Sequence, residues 1–448
     1  MQKKLITVAV ASALVAPGLA VAQTTAEVYG TINMAIGQFK YGEGTATQFV
    51  DGAVIPASVP GVAGVQSSVS KWDVSQGASN YGIRARESLG GGLAAWGQFE
   101  QNAPMERSNN GAITPASRNS AVGMQGGFGN VFLGQWTTPW ADLDALWGIG
   151  TVGYWGPVTS IIGRRETTGT APNPNCTNNG QGTVAGSVSC DAIEGAGGVG
   201  HPFWRRFSQA IFYQSPVMAG VQVKFAYQTD EGKATSTAST NADPSAYSMS
   251  VQWAGMGGRA RVGAAYDKHK EYTSIGGSDT GYALKGGWNF GVVDVGFAYE
   301  IMKYKCVVMA PGVNGSLAAG CGDTGEIKAK QYGLAIAVPV GPGSIRASYS
   351  VAKDLEGPIG GAATLGAGGV VTTPGTHISD TGAKQYNIGY EHRFSKRTNV
   401  GIGYAKIDNK ANAQFTWTGA PPNQQGFSNT PLFGSDVSTF FVSMTHRF

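Results

Sequence analysis

The sequence predicts an all-β fold: a 16-stranded antiparallel transmembrane β-barrel. Three observations predict it. Runs of roughly ten residues alternate apolar with polar or small side chains, short Gly-rich turns and long polar loops separate them, and aromatic residues recur near the ends of the runs. Alternation with a period of two gives each strand two chemically different faces. In a soluble sandwich the apolar face would meet a second sheet, but the recurring aromatics suit the interfacial girdles of a membrane barrel.

The strands follow one another along the chain with the same alternation. It is clearest at 221–227, 247–253, 293–299, 332–338 and 400–404, where one face is aliphatic or aromatic and the other polar or small. The predicted strands are 27–39, 79–87, 93–101, 118–126, 130–136, 206–215, 220–228, 246–254, 259–269, 280–289, 292–303, 329–339, 344–353, 383–394, 397–408 and 437–448. An even number is expected of a bacterial barrel, whose closure pairs every backbone group inside the bilayer.

The predicted connections alternate in length. Short turns lie at 88–92, 127–129, 256–258, 290–291, 341–343 and 395–397, and long loops at 40–78, 102–117, 136–206, 229–245, 304–328, 354–382 and 409–436. Short periplasmic turns and long extracellular loops are typical of such barrels. The segment 136–206 is the third long loop, here named loop three. A connection of its length is expected only where it is functional, so we predict that it folds into the bore and sets what passes.

The N-terminus predicts export. Lys3 and Lys4 precede an apolar stretch, and Ala20-Val21-Ala22 fits a cleavage site, so residues 1–22 are predicted to be a signal peptide and 23–448 the barrel. An N-terminal core helix is the rival interpretation. Removing the two lysines lowers the formal net charge from +4 to +2, which gives no indication of a nucleic-acid partner. The remaining chain has no apolar run long enough for a transmembrane helix.

Four cysteines lie in two predicted loops of this exported chain. Cys176 is close to Cys190, and Cys306 is close to Cys321. Two local disulfides are the natural interpretation in an oxidising compartment, and each would contribute roughly 3 kcal/mol on the chain-entropy model. A metal site is the rival, although no CxxC or histidine cluster accompanies the cysteines.

Several stretches resemble the general porins of Gram-negative bacteria, of the trimeric β-proteobacterial type. They are 79–93, 118–134, 213–216, 395–398 and the terminal Thr445-His-Arg-Phe448. The resemblance implies a homotrimer in the outer membrane, in contact with lipid and lipopolysaccharide. It also implies that Phe448 is the signal for the barrel-assembly machinery. Two departures are Gln135-Trp136, where the family usually has Arg-Gln, and Phe212, where a polar lumen residue is common.

The same resemblance implies a charged constriction. In such porins, arginines matching Arg84 and Arg118 form a basic cluster on the wall, to which the alternation adds Arg86. Loop three sets acidic groups opposite, for which the candidates are Asp142, Asp144 and Glu166. Opposed charges at a waist sieve solutes by size and charge. Four further basic residues fall on the polar faces of their strands: Lys224, Arg261, Lys285 and Arg346.

Two features of loop three leave alternatives open. Thr138-Pro139 suits a helix start, so Asp142 either caps a short helix or faces the bore. Loop three also begins with an unusual set of aromatics: Trp136, Trp140, Trp147, Tyr154 and Trp155. These either pack the loop against the wall, which is the usual role of large aromatics, or form a track for flat solutes such as sugar rings.

The predicted function is passive diffusion of small hydrophilic solutes and ions, with weak anion preference because basic wall residues outnumber acidic ones. A substrate-selective channel using the aromatic loop is the alternative. An enzyme is not expected, since the sequence lacks GxSxG, GxxxxGK[ST] and HExxH motifs and its five histidines are scattered. No cofactor or metal is implied. A structural anchor or adhesin is the remaining class, but no domain suited to it lies at either end.

Overall fold

The structure, a computed structural model, describes the barrel wall and the first part of loop three. The described residues are 24–45, 47–50, 53–56, 65–66, 68–103, 105, 115–153, 155–156, 158–159, 161–162, 203–229, 245–270, 278–305, 326–354, 356, 380–411, 413, 415–417 and 434–448. Within them, no helix has the length and apolar character needed to cross a bilayer. Residues 1–22 and the four cysteines, Cys176, Cys190, Cys306 and Cys321, lie outside the described residues, so their predicted roles stay predictions.

The described chain is built almost entirely of strands. They are β1 (Thr24–Tyr41), β2 (Gly44–Thr45), β3 (Thr47–Val50), β4 (Ala53–Pro56), β5 (Val65–Gln66), β6 (Val69–Gln76), β7 (Asn80–Gly90), β8 (Leu93–Asn102), β9 (Ser120–Gly126), β10 (Gly129–Thr137), β11 (Arg206–Gln214), β12 (Val221–Gln228), β13 (Ser245–Gly255), β14 (Ala260–Lys270), β15 (Ser278–Asn289), β16 (Asp294–Lys305), β17 (Glu326–Val340), β18 (Gly343–Ala352), β19 (Ala383–Arg393), β20 (Thr398–Asn409) and β21 (Val437–Arg447). Helix α1 (Pro139–Asp142) and the 3-10 turns Leu143–Leu146 and Gly148–Gly150 follow β10, and a further 3-10 turn, Met256–Gly258, joins β13 to β14.

One antiparallel sheet closes on itself to form the barrel. Each wall strand pairs with its neighbours in sequence, and β21 pairs back onto β1 from Thr31↔Arg447 to Tyr41↔Val437. Strands β6 and β7 lie end to end along β1, pairing with its second and first halves. They therefore occupy one position around the wall, and the predicted sixteen-stranded antiparallel barrel is confirmed.

The prediction that residues 40–78 form a loop is wrong for its last part. Residues 69–76 form β6, in which Trp72 and Val74 point outward from the barrel while Lys71, Asp73 and Ser75 alternate with them. The break between β6 and β7 is fixed by Ser79, whose Oγ accepts from the Asn33 N–H at 2.9 Å and donates to the Asn33 carbonyl at 3.0 Å. Earlier in this segment, β2 pairs with β5 and β3 with β4 outside the barrel sheet.

The two faces of the wall differ as the alternation predicts. On β17, Leu334 is 57% exposed and Ile336 is exposed, whereas Ala335 between them is 1% exposed. Similar rows of exposed aliphatic and aromatic side chains run around the outside on the neighbouring strands. Since these rows lie outside a closed sheet and no described element covers them, they are the surface that meets hydrocarbon.

The chain ends meet at the end of the barrel that carries the short turns. The Phe448 N–H donates to the Gly30 carbonyl at 3.1 Å, and the Gly30 N–H donates to the Phe448 carbonyl at 3.3 Å. The Phe448 ring covers Gly30, where a Cβ would collide with the ring. The terminal residue thus completes the seam between the first and last strands.

Candidate functional site

Loop three begins with a capped helical turn inside the barrel. Thr138 is the N-cap of α1, its Oγ1 accepts from the Ala141 N–H at 3.3 Å, and Pro139 stands at the start of the helix. A helix start at Thr138-Pro139 is therefore confirmed, with Thr138 rather than Asp142 as the cap. The Trp140 N–H donates to the Ser248 Oγ on β13 at 3.1 Å, which fixes the turn against the wall.

From α1 the loop runs around the inner surface of the barrel. Its residues touch every strand from β12 to β21 and then β1, through Lys224, Ser248, Arg261, Lys285, Gly296, Gly333, Ser348, Asn387, Gly401, Ser443 and Phe39 in turn. Strand neighbours are about 4.8 Å apart, so the described part of loop three lies along the circumference rather than across the bore. These described residues lie inside the barrel, and the predicted role of 136–206 in setting what passes stays a prediction.

Inward-facing glycines give loop three room to lie close to the wall. A Cβ on Gly296 would stand 2.5 Å from the Trp147 carbonyl oxygen, and one on Gly333 would stand 2.9 Å from the Trp147 ring. A Cβ on Gly281 would likewise collide with the Phe203 and Trp140 rings. Glycine recurs on the inward faces of successive strands, and this recurrence is the sequence signal that another segment of the chain packs closely there.

Two ion pairs hold the acidic start of loop three. The Asp142 carboxylate accepts from Lys224 Nζ at 3.0 Å, and the Asp144 carboxylate accepts from Lys285 Nζ at 2.6 Å. Lys285 also bonds Glu300 at 2.7 Å and is 0% exposed, as is Glu300. A fully buried lysine between two carboxylates is a charge network that depends on all its members.

Two tryptophan N–H groups also donate hydrogen bonds to the Asp144 carboxylate. Trp204 Nε1 donates to Asp144 Oδ2 at 2.5 Å, and Trp147 Nε1 donates to Asp144 Oδ1 at 3.2 Å. With Lys285, three donors converge on one carboxylate. Asp144 therefore joins both ends of the described loop to the wall.

Burial changes the acidity of Asp142. Desolvation raises the pKa of this carboxyl above its ordinary value of 3.8, and Lys224 opposes the shift. Asp144, close by, adds to the increase. Asp142 is therefore the described loop-three carboxyl that takes up a proton more readily than an exposed aspartate.

Two arginines of the wall hold the backbone of the loop. Arg261 Nε donates to the Leu146 carbonyl at 2.6 Å while its Nη2 bonds Asp294 at 2.7 Å. Arg346 Nη1 donates to the Thr151 carbonyl at 2.9 Å, and its Nη2 lies 3.1 Å from Glu391. Both guanidinium groups thus link the wall to loop-three carbonyls, and each is neutralised by an acid.

The three arginines predicted for the basic side of the constriction lie on β7 and just before β9. Arg84 Nη2 bonds Glu27 at 2.7 Å, and both side chains are more than half exposed. Arg86 is exposed two residues farther along β7. Arg118 Nε bonds Glu100 at 2.5 Å, and Glu100 also accepts from the Tyr29 hydroxyl. Among the described residues, no hydrogen bond joins loop three to these three arginines; Asp142 and Asp144 bond to Lys224 and Lys285.

The described loop tryptophans pack against the wall. Trp140 and Trp147 are 0% exposed, and Trp155 is 1% exposed. Trp155 lies between Phe39 and Phe441, with ring centroids 5.3 Å and 4.8 Å away. A solute track needs accessible ring faces, which these three rings lack.

Trp136, still in β10, differs from the other loop tryptophans because it is half-buried. It packs on Trp96 and Phe132, and Phe132 stacks on Phe212 at 4.9 Å. Phe212, which stands where a polar residue was expected, is therefore part of an apolar cluster on the inner wall.

Two candidates of loop three, Glu166 and Tyr154, lie outside the described residues, so their predicted roles are unchanged. Within the described chain, no three His, Cys, Asp or Glu side chains come together as a metal site. The site is thus a set of charged groups and packed rings around a bore.

Comparison with known proteins agrees with this architecture. No curated protein sequence matches the chain. The anion-selective porin of Comamonas acidovorans superposes with a TM-score of 0.61 at 19% identity, covering 95% of this chain and 100% of that one. OmpT of Vibrio cholerae, an outer membrane protein, superposes with a TM-score of 0.53 at 13% identity over 95% of this chain and 98% of that one. At these identities the likeness shows the fold alone.

The family model for Gram-negative porins matches residues 7–412. The match covers nearly the whole barrel and loop three. It agrees with the closed sheet and its apolar outer surface. Family and fold therefore point to a channel rather than an enzyme, and the chain belongs to the Gram-negative porin family, whose members form channels in the outer membrane.

Proposed function

We propose that the protein is a general diffusion porin that admits small hydrophilic solutes and ions with a weak preference for anions. The observation that carries the preference is the pairing of the loop-three acids. Asp142 and Asp144 are each bonded to a wall lysine, whereas Arg86 is exposed on β7 without an ion-pair partner among the described residues. The Comamonas acidovorans porin, which shares the fold, is itself anion-selective by name.

The constriction in this proposal has loop three on one side and the wall of β7 on the other. Arg86 supplies exposed positive charge there, Arg84 is paired with Glu27, and Arg118 is held by Glu100 nearer the long-loop end. The loop side presents Asp142, which is 24% exposed, and Glu166 is a further candidate. Local charge of one sign in a narrow passage raises the concentration of the opposite ion.

Reversal potentials in planar bilayers test the preference. In a potassium chloride gradient, the potential should indicate chloride preference that weakens as salt rises, because ions screen charges beyond about 8 Å at physiological strength. Arg86→Gln should reduce the preference. A potential that favours potassium in the wild-type channel would refute the anion preference while leaving the channel itself intact.

The selective-channel alternative predicts saturable block by one class of solute, lost in Trp140→Ala. Because Trp140 is fully buried against Phe203 and Gly281, we expect no such block. Trp140→Ala should instead loosen loop three and raise conductance for all small solutes alike. Block by a sugar that disappears in this variant would favour the alternative.

The working state in this proposal is a homotrimer in the outer membrane, in contact with lipid and lipopolysaccharide. A trimer form is known for in-vitro folded OmpT of Vibrio cholerae, which shares the fold. We further propose that residues 1–22 direct export, that Cys176–Cys190 and Cys306–Cys321 form disulfides, and that Phe448 is read by the barrel-assembly machinery. Mass spectrometry of the mature protein, with and without reductant, tests the cleavage and both disulfides.

A further inference from the structure

A recess opens between loop three and the short-turn end of the barrel. It has a volume of about 710 Å³ and lies against β18, β19, β20, β21 and the middle of β1, with Thr151 and Gly153 of loop three on its other side. The recess is separate from the wall of Arg84 and Arg86. Its position places it on the periplasmic side of loop three, since the short turns face the periplasm in such barrels.

The charge of this recess is strongly one-sided. Its lining includes Arg346, Arg393, Lys396 and Arg447, and Glu391 is the acid among the residues that line it. Arg346 already bonds Glu391 at 3.1 Å. In the described part of the chain, the other three cations form no ion pair, so they leave the recess with three uncompensated positive charges.

Register brings these cations to one place. Arg393 pairs with Asn399, Asn399 with Thr445, and Arg447 stands two residues beyond Thr445 on the same face of β21. Two strand spacings and a two-residue offset along β21 place the two arginine backbones about 12 Å apart, a span that two arginine side chains can bridge from opposite sides of a small anion. Lys396 stands in the turn between the two strands that carry Arg393 and Asn399.

The polar floor supplies donors and acceptors as well as charge. Asn33 Nδ2 donates to Thr445 Oγ1 at 2.7 Å, which orients both side chains at the base of the recess. Guanidinium groups present planar pairs of N–H donors that match the oxygens of an oxyanion, and such charge-assisted bonds are the stronger class. A halide can use the charge but not this donor geometry.

We propose that this recess is a binding site for a compact divalent oxyanion, such as sulfate or hydrogen phosphate, entered from the periplasmic side. The proposal rests on the proposed channel function, because the bound anion acts on the flow of ions through the bore. Bound there, the anion lies next to loop three and slows the flow of other anions. With this site, an anion added on the periplasmic side blocks the channel more strongly than the same anion added on the other side, a difference that the constriction alone does not produce.

Sulfate is the probe, since its charge does not change near neutral pH. Single channels are recorded in potassium chloride with sulfate added to one side at a time. Sulfate on the short-turn side should lower the current saturably, and at lower concentration than sulfate on the long-loop side. In Arg393→Gln/Lys396→Gln the half-blocking concentration should rise at least about tenfold, which corresponds to about 1.4 kcal/mol.

Two further variants serve as controls for the double variant. Arg259→Gln removes an arginine from another short turn, outside the recess, and should leave the half-blocking concentration unchanged. Glu391→Gln removes the acid and should lower it several-fold, so a test remains even if the double variant does not assemble. Equal block of wild type and an assembled double variant, or weaker block in Glu391→Gln, would overturn the proposed site.

The two proposals fail in different ways. If wild-type channels prefer potassium but one-sided sulfate block is lost in Arg393→Gln/Lys396→Gln, the anion preference is wrong and the recess stands. If chloride is preferred but sulfate acts equally from both sides and in both proteins, the recess is wrong and the preference stands. Isothermal titration of sulfate into detergent-solubilised channel provides the same comparison without current.

Discussion

Lys285 is the residue whose loss should most weaken the seat of loop three. It is fully buried on β15 and bonds Asp144 at 2.6 Å and Glu300 at 2.7 Å. Lys285→Met leaves two carboxylates close together without their shared cation. Removing one partner of a buried ion pair costs about 3–5 kcal/mol, because the remaining charge is uncompensated.

Lys224→Met is the matched control. Lys224 bonds the neighbouring loop aspartate, Asp142, at 3.0 Å, but the two side chains are 15% and 24% exposed. Exposed pairs contribute about 0.2–1 kcal/mol, whereas breaking a buried pair costs about 3–5 kcal/mol, and this partly buried pair should fall between these values, nearer the lower one. Both variants remove one lysine from the inner wall, so a difference between them reports burial rather than charge.

The assay combines urea unfolding of the detergent-solubilised barrel with single-channel recording. Lys285→Met should lower the free energy of unfolding by about 3–5 kcal/mol and increase open-channel current noise as the loop moves. Lys224→Met should change each much less. The triple variant Lys285→Met/Asp144→Asn/Glu300→Gln should recover most of the loss. Equal effects of the two single variants, or no recovery in the triple one, would refute the reasoning.

Three further predictions follow from the loop, its acid and the chain end. Gly296→Ala places a Cβ 2.5 Å from the Trp147 carbonyl oxygen and should lower the thermal midpoint and raise conductance, whereas Gly127→Ala, in an open turn, should do neither. Because burial raises the pKa of Asp142, acidification from pH 7 should neutralise this carboxyl above pH 3.8 and increase the chloride preference seen in the reversal potential, and Asp142→Asn should show a smaller increase. Protonation of Asp142 should not destabilise the fold, since the folded chain binds this proton more tightly than the unfolded chain does. Phe448→Ala should sharply reduce assembled barrel in cells yet refold in detergent with a modest loss of stability, and a complete failure to refold in detergent would show that the ring is structural first.

The barrel wall could be predicted from sequence because its pattern is local. Lipid outside and water inside impose alternation on every strand, so β12, β17 and β20 are found within one to three residues of their predicted bounds. Strand β6 was missed because its alternation is short and ends at the irregular Gly77–Ser79 break, which resembles a loop. The contacts that hold that break come from Asn33, far away in sequence.

The partners within the bore could not be predicted, because they depend on the direction in which loop three travels. Alternation places Lys224 and Lys285 on the polar faces of their strands, yet nothing near Asp142 or Asp144 in sequence indicates that the loop follows the wall toward them. Glu300 lies on the next strand, and nothing near it in sequence indicates that it is the second carboxylate that binds Lys285. Its role appears once the two neighbouring strands are aligned.

The contacts of loop three also indicate the order in which parts of the molecule can fold. Trp155 occupies a pocket between Phe39 on the first strand and Phe441 on the last. That pocket does not exist until the two ends of the chain have met, and contacts between residues so distant in sequence form slowly. The Trp155 indole therefore reaches its final environment when the first and last strands pair, or later. Its fluorescence during refolding would report when the open sheet closes into a channel.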